Sequence, residues 1–315
     1  MRKVEFIEIL SEIGAGTRGS SLGFAALKVA DQNKKELVFK GFQSTKVEVY
    51  NEYLYKEIDT PCALRIEGIT SVYQNQITAI RKSLESRKIP FIFAGDHSTA
   101  GATIAGLKLA EPGKKLGVIW VDAHADLHSP YTSPSGNVHG MPLACSLNED
   151  NLDCKINSPV EKTIRLWNEM KNIGGIAPKI ESEDIIFIGL RDYEKPEAHI
   201  IEKNKIKVIT VEELRNASVD KTISNSFEYL SQCDHIYISF DVDSMDSSIS
   251  KGTGTPVPNG LNEIELNELL VGLLSNEKVN CFEVTEINPT LDKENKMAET
   301  ILPIIKNCLS TLQKN

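Results

Sequence analysis

The sequence predicts an α/β fold in which helices cover both faces of a parallel sheet. Short apolar runs rich in β-branched and aromatic residues alternate with helix-like stretches, which is the order of βαβ units. Runs such as GVIWV and IYISF are nearly continuously apolar, as is typical of parallel strands buried on both faces. A chain of 315 residues with 41% hydrophobic content can bury the core that such a fold requires.

Eight runs predict the strands of this sheet. In chain order they are VEFIEIL, ELVFK, FIFAG, LGVIWVD, DIIFIGL, KVITV, HIYISFD and NCFEVTEI. Between them lie helix-like stretches such as SVYQNQITAIRKSLESRK and LNEIELNELLVGLLSNE. We find no internal repeat, low-complexity tract or Pro/Gly/Ser linker that would divide the chain. We therefore expect a single catalytic domain over residues 1–315.

The overall charge and hydropathy exclude several classes of partner. The net charge is −9 and the pI is near 5.3, whereas nucleic-acid and anionic-membrane surfaces call for clustered Lys and Arg. No apolar run approaches the roughly 20 residues that span a bilayer. The first apolar stretch, MRKVEFIEIL, contains acids, which argues against a secretory signal peptide. We expect a cytoplasmic protein without a nucleic-acid or membrane partner.

Charged and polar side chains follow four of the predicted strands. In open α/β sheets, ligands bind beyond the carboxyl ends of the strands, where these residues fall. Side chains at i, i+2 and i+4 of an extended chain share a face, so the polar members of DAHAD and of DVD should converge. The residues at the four strand ends are Asp96 and His97; Asp122, His124 and Asp126; Asp241 and Asp243; and Glu286 and Asn288.

Such a convergence of carboxylates indicates a metal site. Carboxylates within about 4–6 Å of one another repel, and some would take up protons unless a cation compensates them. Four aspartates offset the four positive charges of two divalent ions, and two neutral imidazoles complete the ligand set. Oxygen ligands with two imidazoles favour two Mn²⁺ ions per subunit, although zinc, iron, cobalt or nickel would also fit. The predicted ligands are His97, Asp122, His124, Asp126, Asp241 and Asp243.

Six short motifs, in this order, resemble those of the ureohydrolase (arginase and agmatinase) family, and its arginase branch most closely. They are GDHS at 95–98, DAHAD at 122–126, GNVHGMP at 136–142, SFDVDS at 239–244, GTGTPV at 252–257 and EVTEINP at 283–289. The resemblance implies a three-layer α/β/α domain around a mainly parallel eight-stranded sheet. It also implies a binuclear manganese cluster on the same six residues, hydrolysis of a guanidino group to urea and an amine, and a homo-oligomer, either trimer or hexamer.

The resemblance also assigns the catalytic groups. Two divalent ions that share a water can lower its pKa from about 15.7 towards 7 and so provide a nucleophile. Glu286 should pair with the guanidinium nitrogens and orient the reacting carbon. Asp126 would pass the proton of the nucleophile to the leaving amine, and His139 resembles the family's histidine proton shuttle. Thr255 lies where the family has a loop residue near the guanidinium.

The substrate follows from two further stretches. Ser135 and Asn137 resemble the residues that bind the α-carboxylate of arginine, and agmatinases usually lack this SGN segment. This favours L-arginine, cleaved to urea and L-ornithine. Glu194 and Glu197 would bind the α-ammonium.

Two positions depart from the arginase pattern. Glu194 stands where typical arginases have Asp, and His128 stands where they have Asn. One methylene is worth about 1–3 kcal/mol in a fitted pocket, so recognition of the amino acid could shift. Agmatine, guanidinobutyrate, guanidinopropionate and formiminoglutamate therefore stay open as substrates.

Other functional classes fit the sequence less well. A deacetylase-like relative would use one zinc and lack the GDHS histidine, but His97 is present. A non-catalytic scaffold would be expected to have lost His139 or Glu286. The run GAGTRG at 14–19 fits a dinucleotide-binding motif, but the acid at the required spacing, Glu36, begins the next predicted strand instead of ending it. We interpret this run as a mobile loop that borders the mouth of the active site.

Overall fold

A parallel eight-stranded sheet lies at the centre of the part of the chain that the structure describes. This computed structural model describes residues 3–42, 44–249 and 251–314. The strands are β1 (Lys3–Ile9), β2 (Ser44–Lys46), β3 (Lys88–Ala94), β4 (Leu116–Val121), β5 (Ile185–Ile188), β6 (Lys207–Ile209), β7 (His235–Asp241) and β8 (Val279–Thr285). Their order is β2-β1-β3-β8-β7-β4-β5-β6, and every pairing is parallel.

Ten α-helices surround the sheet within the same described ranges. They are α1 (Gly23–Lys34), α2 (Ile66–Glu85), α3 (Ala100–Ala110), α4 (Pro142–Leu147), α5 (Glu161–Lys171), α6 (Lys195–Asn204), α7 (Val211–Ala217), α8 (Val219–Tyr229), α9 (Glu263–Leu274) and α10 (Lys296–Lys314). Among the residues described, no helix combines the length and the apolar character that crossing a membrane requires.

Alternate residues of each strand face two separate hydrophobic cores, which makes the architecture three-layered. On β3, Phe91 and Phe93 pack with α1, α9 and α10 on one face of the sheet. Ile92 and Ala94 pack with α2, α3 and α4 on the other face. Both faces of the strand are therefore buried, which explains its continuously apolar sequence. The predicted α/β/α fold is confirmed.

The prediction of a strand at ELVFK was wrong, because the second strand of the sheet is the later segment Ser44–Lys46. ELVFK instead forms a turn after α1, and Leu37 has a left-handed φ of 56°. The Asp31 carboxylate accepts hydrogen bonds from the backbone N–H groups of Val38 at 2.9 Å and Phe39 at 3.2 Å. A side chain on α1 thus satisfies the donors that a strand ladder would have used.

The four strands that carry the predicted site residues lie side by side in the middle of the sheet, in the order β3-β8-β7-β4. Their carboxyl ends therefore meet at one edge, although the residues come from four distant parts of the chain. This arrangement brings GDHS, DAHAD, SFDVDS and EVTEINP together.

Candidate metal centre

His97 faces three carboxylates at the centre of the site. Its Nδ1 atom lies 3.1 Å from Oδ2 of Asp122, 3.0 Å from Oδ2 of Asp126 and 3.2 Å from Oδ2 of Asp241. All four side chains are buried. One donor atom each from His97, Asp122 and Asp241 lies within 4.8 Å of the others, a spacing that could hold a metal ion.

A second group of donors shares Asp122 with the first. Nδ1 of His124 lies 3.5 Å from Oδ1 of Asp122 and 3.1 Å from Oδ2 of Asp243. These three residues also have donor atoms within 4.8 Å of one another. The two oxygens of Asp122 therefore face different groups, so Asp122 can offer one donor atom to each group. The six predicted ligands are all brought together here.

The chemistry of these donor atoms fits a site for divalent cations. His97 Nδ1, Asp122 Oδ2 and Asp126 Oδ2 are buried and have no hydrogen-bond partner among the described residues. Burial raises the pKa of Asp241 well above its usual range, and the charges of Asp243 and Asp122 raise it further. Buried charges of one sign require a counter-charge. The residues thus fit two divalent cations.

Local hydrogen bonds hold the ligands in this arrangement. The Asp122 Oδ1 atom accepts a bond from the His124 N–H at 2.7 Å, and Asp241 Oδ1 accepts one from the Asp243 N–H at 2.8 Å. These bonds between i and i+2 curl the chain where each strand ends. Asp126 itself has a left-handed φ of 51°, a conformation that non-glycine residues adopt rarely and mostly at functional sites.

The partly exposed His139 and the buried Glu286 form a pair beside the predicted metal ligands. The His139 Nδ1 atom lies 3.0 Å from Oε1 of Glu286, and the same oxygen accepts a hydrogen bond from the His97 N–H at 3.0 Å. Burial lowers the pKa of His139, but the hydrogen bond and charge of Glu286 outweigh it and raise that pKa to about 9. Burial alone would raise the pKa of Glu286, yet the pairing with His139 holds it below its usual value.

A cavity of about 240 Å³ opens over these residues. The predicted catalytic residues Asp126, His139 and Glu286 all line it. So do the six residues that the sequence predicts to contact substrate, namely His128, Ser135, Asn137, Glu194, Glu197 and Thr255. The cavity therefore joins the metal ligands to the predicted recognition residues in one site.

The two acids predicted to bind an α-ammonium lie around His128. The Nε2 atom of His128 is 3.4 Å from Oε2 of Glu194 and 3.4 Å from Oε2 of Glu197. Glu197 is also the third residue of the capping box of α6, whose N-cap is Glu194. One of its oxygens accepts the N–H group of Glu194 at 2.9 Å, and the other accepts that of Leu127 at 3.1 Å. Burial raises the pKa of Glu197 to about 7. Glu197 thus already accepts two hydrogen bonds from the protein backbone, and fewer of its acceptor positions are left for a substrate.

The SGN segment is fixed by a close backbone contact. The Gly136 carbonyl accepts a hydrogen bond from the Leu64 N–H at 2.7 Å, and Gly136 has a left-handed φ of 71°. Ser135 and Asn137 line the cavity on either side of it. Thr255, expected near the guanidinium, donates a hydrogen bond to Oδ2 of Asp243 at 3.1 Å. It therefore also supports a metal ligand.

The GAGTRG loop borders the site, as its interpretation predicted. The Gly14 carbonyl accepts a hydrogen bond from the His139 N–H at 3.1 Å. The Gly14 N–H in turn donates to Oδ2 of Asp96 at 2.8 Å. A β-carbon on Gly16 would lie 2.8 Å from the Asn137 amide nitrogen, so glycine allows this close approach.

Sequence reasoning missed three residues that support the site. The Ser239 hydroxyl oxygen lies 2.8 Å from Nε2 of His97, and Oδ2 of Asp192 lies 3.6 Å from Nε2 of His124. Asp96 was noticed at a strand end but given no role, and it anchors the GAGTRG loop. The position of Ser239 inside SFDVDS, two residues before a predicted ligand on the same strand face, was a usable signal.

Comparisons with known proteins agree with this geometry. The model of the Arginase family matches residues 3–310. The arginase of Bacillus subtilis (strain 168) is 29% identical over 310 residues, which are 98% of each chain. The arginase of Staphylococcus aureus (strain COL) is 30% identical over 314 residues, covering 97% of each chain. The crystal structure of Entamoeba histolytica arginase in complex with L-ornithine superposes with a TM-score of 0.82 at 26% identity, covering 98% of this chain and 99% of that one. The chain therefore belongs to the arginase family of ureohydrolases.

Proposed function

We propose that this enzyme uses two Mn²⁺ ions to hydrolyse the guanidino group of L-arginine to urea and L-ornithine. The observation that carries the proposal is the pair of donor groups that share Asp122. A single ion would leave one group with uncompensated buried carboxylates. Four aspartates balance the charge of two divalent cations, and carboxylate and imidazole donors suit manganese.

The proposed ligands divide between the two ions. His97, Asp122 and Asp241 would hold one ion, and Asp122, His124 and Asp243 would hold the other. The Asp126 carboxylate, 3.0 Å from His97 Nδ1, would add a donor to the first group. Two divalent cations, when bound, supply a nucleophile by lowering the pKa of a water towards neutrality.

The remaining steps belong to side chains of this chain. Glu286 lines the cavity and would pair with the planar guanidinium, which orients the carbon for attack. Asp126 would accept the proton of the nucleophile and pass it to the leaving amine. His139, whose pKa is raised to about 9 by its pairing with Glu286, would act as the proton shuttle of the site.

The recognition residues favour an amino acid with a free carboxylate. Ser135 and Asn137 line the cavity and would bind that group. Glu194 and Glu197 would receive the α-ammonium. The structure of the Entamoeba histolytica arginase, a relative over nearly the whole chain, contains L-ornithine.

A guanidino acid without an α-ammonium, guanidinobutyrate or guanidinopropionate, is the second candidate substrate. It is favoured by His128, which lies 3.4 Å from both acids and could occupy the place of the ammonium. Agmatine and formiminoglutamate are less well matched. Agmatine has no carboxylate for Ser135 and Asn137, and formiminoglutamate would release no urea.

A substrate panel tests the assignment. Manganese-loaded protein is assayed with L-arginine, agmatine, guanidinobutyrate, guanidinopropionate and formiminoglutamate, and urea, ornithine and formamide are quantified. We expect urea and ornithine in equal amounts from L-arginine, with the highest kcat/KM of the panel. If the enzyme preferred another compound of the panel, the substrate assignment would change but the assignment as a hydrolase of this class would stand. The family resemblance also supports a trimer or hexamer, and we expect it to be cytoplasmic. Light scattering on the purified chain tests the assembly by measuring its mass.

A further inference from the structure

Arg191 is a partly buried arginine that the proposed reaction does not use. Within the part of the chain that the structure describes, every hydrogen bond of its guanidinium group goes to a main-chain carbonyl group. A planar guanidinium with its N–H groups in a rigid fork can join several backbone segments in this way. The acceptors are the carbonyl oxygens of Gly189 at 3.0 Å, Asp243 at 2.8 Å, Met245 at 3.1 Å, Val257 at 3.0 Å and Pro258 at 3.0 Å.

These acceptors belong to separate segments of the site. Two of them lie on the segment that follows β7, where metal donors are found. Val257 and Pro258 lie in the loop of residues 252–260, which contains the GTGTPV motif. The backbone N–H of Arg191 adds a third segment, because it donates to the carbonyl of Ala123 inside DAHAD at 3.0 Å. Arg191 therefore joins loop 252–260 to the ends of β4 and β7.

The end of loop 252–260 leaves room for this guanidinium group. A β-carbon on Gly260 would lie 2.6 Å from Nη2 of Arg191 and 2.5 Å from the backbone nitrogen of Asp246. Glycine is therefore needed for the close approach. The Gly260 N–H also donates to Oδ2 of Asp246 at 3.0 Å. The loop and the segment after β7 thus pack closely around the guanidinium group.

Loop 252–260 carries Thr255, whose hydroxyl donates to Oδ2 of Asp243 at 3.1 Å. The same oxygen lies 3.1 Å from Nδ1 of His124, inside the second group of metal donors. Thr255 is itself exposed, so its direction depends on how the backbone of the loop is held. Val257, two residues further along, is one of the carbonyl groups that Arg191 holds.

We propose that Arg191 is a positioning residue that holds loop 252–260 so that Thr255 stays hydrogen-bonded to the metal donor Asp243. This inference rests on the proposed metal centre and is independent of the substrate. Groups that hydrogen bond to a ligating carboxylate orient it, and their loss weakens metal binding by about 10–100-fold. The Asp243 backbone has a further anchor, because its N–H donates to Oδ1 of Asp241 at 2.8 Å. Loss of Arg191 should therefore act mainly on the loop.

The test measures manganese binding by variants of the full-length protein. Free Mn²⁺ is followed by electron paramagnetic resonance during titration, which resolves tight and weak equivalents. We expect Thr255→Val to weaken one of the two equivalents by about 10–100-fold, because Asp243 belongs to only one donor group. Arg191→Met should weaken the same equivalent, since the loop then no longer holds Thr255 in place.

Arg191→Lys separates the fork of the guanidinium group from its charge. Lysine keeps the positive charge and an apolar stem, but its single ammonium group cannot reach carbonyl groups on all of these segments. We expect it to weaken the same equivalent as Arg191→Met does, and it tests the proposal if Arg191→Met fails to fold. Wild-type affinities in Arg191→Lys would show that the charge matters and the hold on the loop does not.

A double variant tests whether Arg191 acts through Thr255. Two changes that remove one interaction are not additive, whereas independent changes are. In the Thr255→Val background, Arg191→Lys should therefore change the affinity of the weakened equivalent by less than about threefold. Fold-changes that multiply in the double variant would overturn this route.

Arg215 provides the matched control, because it also donates to loop 252–260. Its Nη2 atom donates to the carbonyl of Gly260 at 3.0 Å, and its Nε atom pairs with Glu265 on α9 at 2.8 Å. It holds the end of the loop that is further from Thr255 in sequence. We expect Arg215→Met to lower the thermal midpoint and to leave the affinities of both equivalents unchanged.

The outcomes separate this inference from the proposed function. Wild-type protein that binds no manganese would refute the metal centre and, with it, this inference. If wild type binds two ions, the role of Arg191 alone would be overturned by unchanged affinities in Thr255→Val, by equal weakening of both equivalents in Arg191→Lys, or by weakening in Arg215→Met. Selective weakening of one equivalent in Arg191→Lys, with no further loss in the double variant, is the result that the proposal requires.

Discussion

The Nδ1 atom of His139 lies 3.0 Å from Oε1 of Glu286, although 147 residues separate the two in sequence. The same oxygen accepts the N–H of His97, a predicted metal ligand. One carboxylate thus connects the proposed proton donor to the proposed metal centre. Glu286 adopts a left-handed φ of 64°, so its backbone is held in an unfavourable conformation to aim this side chain.

Replacing Glu286 should reverse the pKa shift of His139. In Glu286→Gln we expect the pKa to fall from about 9, because the hydrogen bond and the charge of Glu286 are lost while burial still lowers the pKa, opposed only by the weaker effects of Asp126 and Asp96. Histidine ring signals followed by NMR over pH 5–10 measure this shift. A pKa that stays near 9 in the variant would show that Glu286 is not its cause.

The same pair makes stability depend on pH in a defined direction. The folded pKa of about 9 lies above the roughly 6.5 of an unfolded histidine. The stabilisation is therefore complete below about pH 6.5 and is lost as the pH rises through about 9. Urea unfolding should show the free-energy advantage of wild type over Glu286→Gln shrinking across this range, and an advantage that grows with pH would contradict the pairing.

Replacing His139 should separate catalysis from metal binding. His139 does not belong to either donor group, so His139→Asn should keep two manganese ions per chain. Loss of a general acid lowers kcat by about 10²–10⁴-fold. Metal content by elemental analysis and kcat with L-arginine are measured on the same preparation. A variant that loses its manganese would show that His139 supports the cluster instead of transferring a proton.

Asn137 should affect only substrates that carry a carboxylate. A hydrogen bond to a charged group contributes about 1.5–3 kcal/mol, so Asn137→Ala should raise the KM for L-arginine by about 10–100-fold. Agmatine has no carboxylate and serves as the control substrate, with an expected change in KM below about threefold. Equal effects on both substrates would mean that Asn137 shapes the cavity without recognising the carboxylate.

Gly136 should be required for the fold of the SGN segment. A β-carbon there would lie 2.1 Å from the Pro61 carbonyl oxygen, and the residue has a left-handed φ. The strained backbone alone costs about 1–3 kcal/mol, so Gly136→Ala should lower the free energy of unfolding by at least that amount. In Gly113→Ala, where no heavy atom lies within 4 Å, urea unfolding should change by less than about 0.5 kcal/mol. Equal midpoints for the two variants would refute the close contact.

The ligands could be predicted from sequence because local patterns encode them. Asp122, His124 and Asp126 follow directly after an apolar strand, so the strand end predicts that they lie at the ligand-binding edge of the sheet. The period of an extended strand does not explain their convergence, because the chain bends after Val121 and Asp126 has a left-handed φ. The alternation of strands and helices likewise predicted the layered fold. These signals extend over only a few residues and need no knowledge of distant contacts.

The features that sequence reasoning missed depend on contacts between distant segments. ELVFK has the composition of a strand, yet the Asp31 carboxylate holds part of it in a turn. The Ser239 contact with His97 joins residues 142 positions apart. The geometry of His128 between Glu194 and Glu197 likewise depends on how α6 packs beside the DAHAD segment. No local pattern specifies these pairings.

The central claim is that two cations share Asp122 as a ligand. The manganese content of the protein tests this claim most directly. After reconstitution and removal of free metal, wild type should hold two ions per chain, Asp241→Asn one, and Asp122→Asn fewer than one. Asp153→Asn, a change at an exposed acid paired with Lys203, is the control and should hold two. Two ions retained in Asp122→Asn, or none in wild type, would contradict the account.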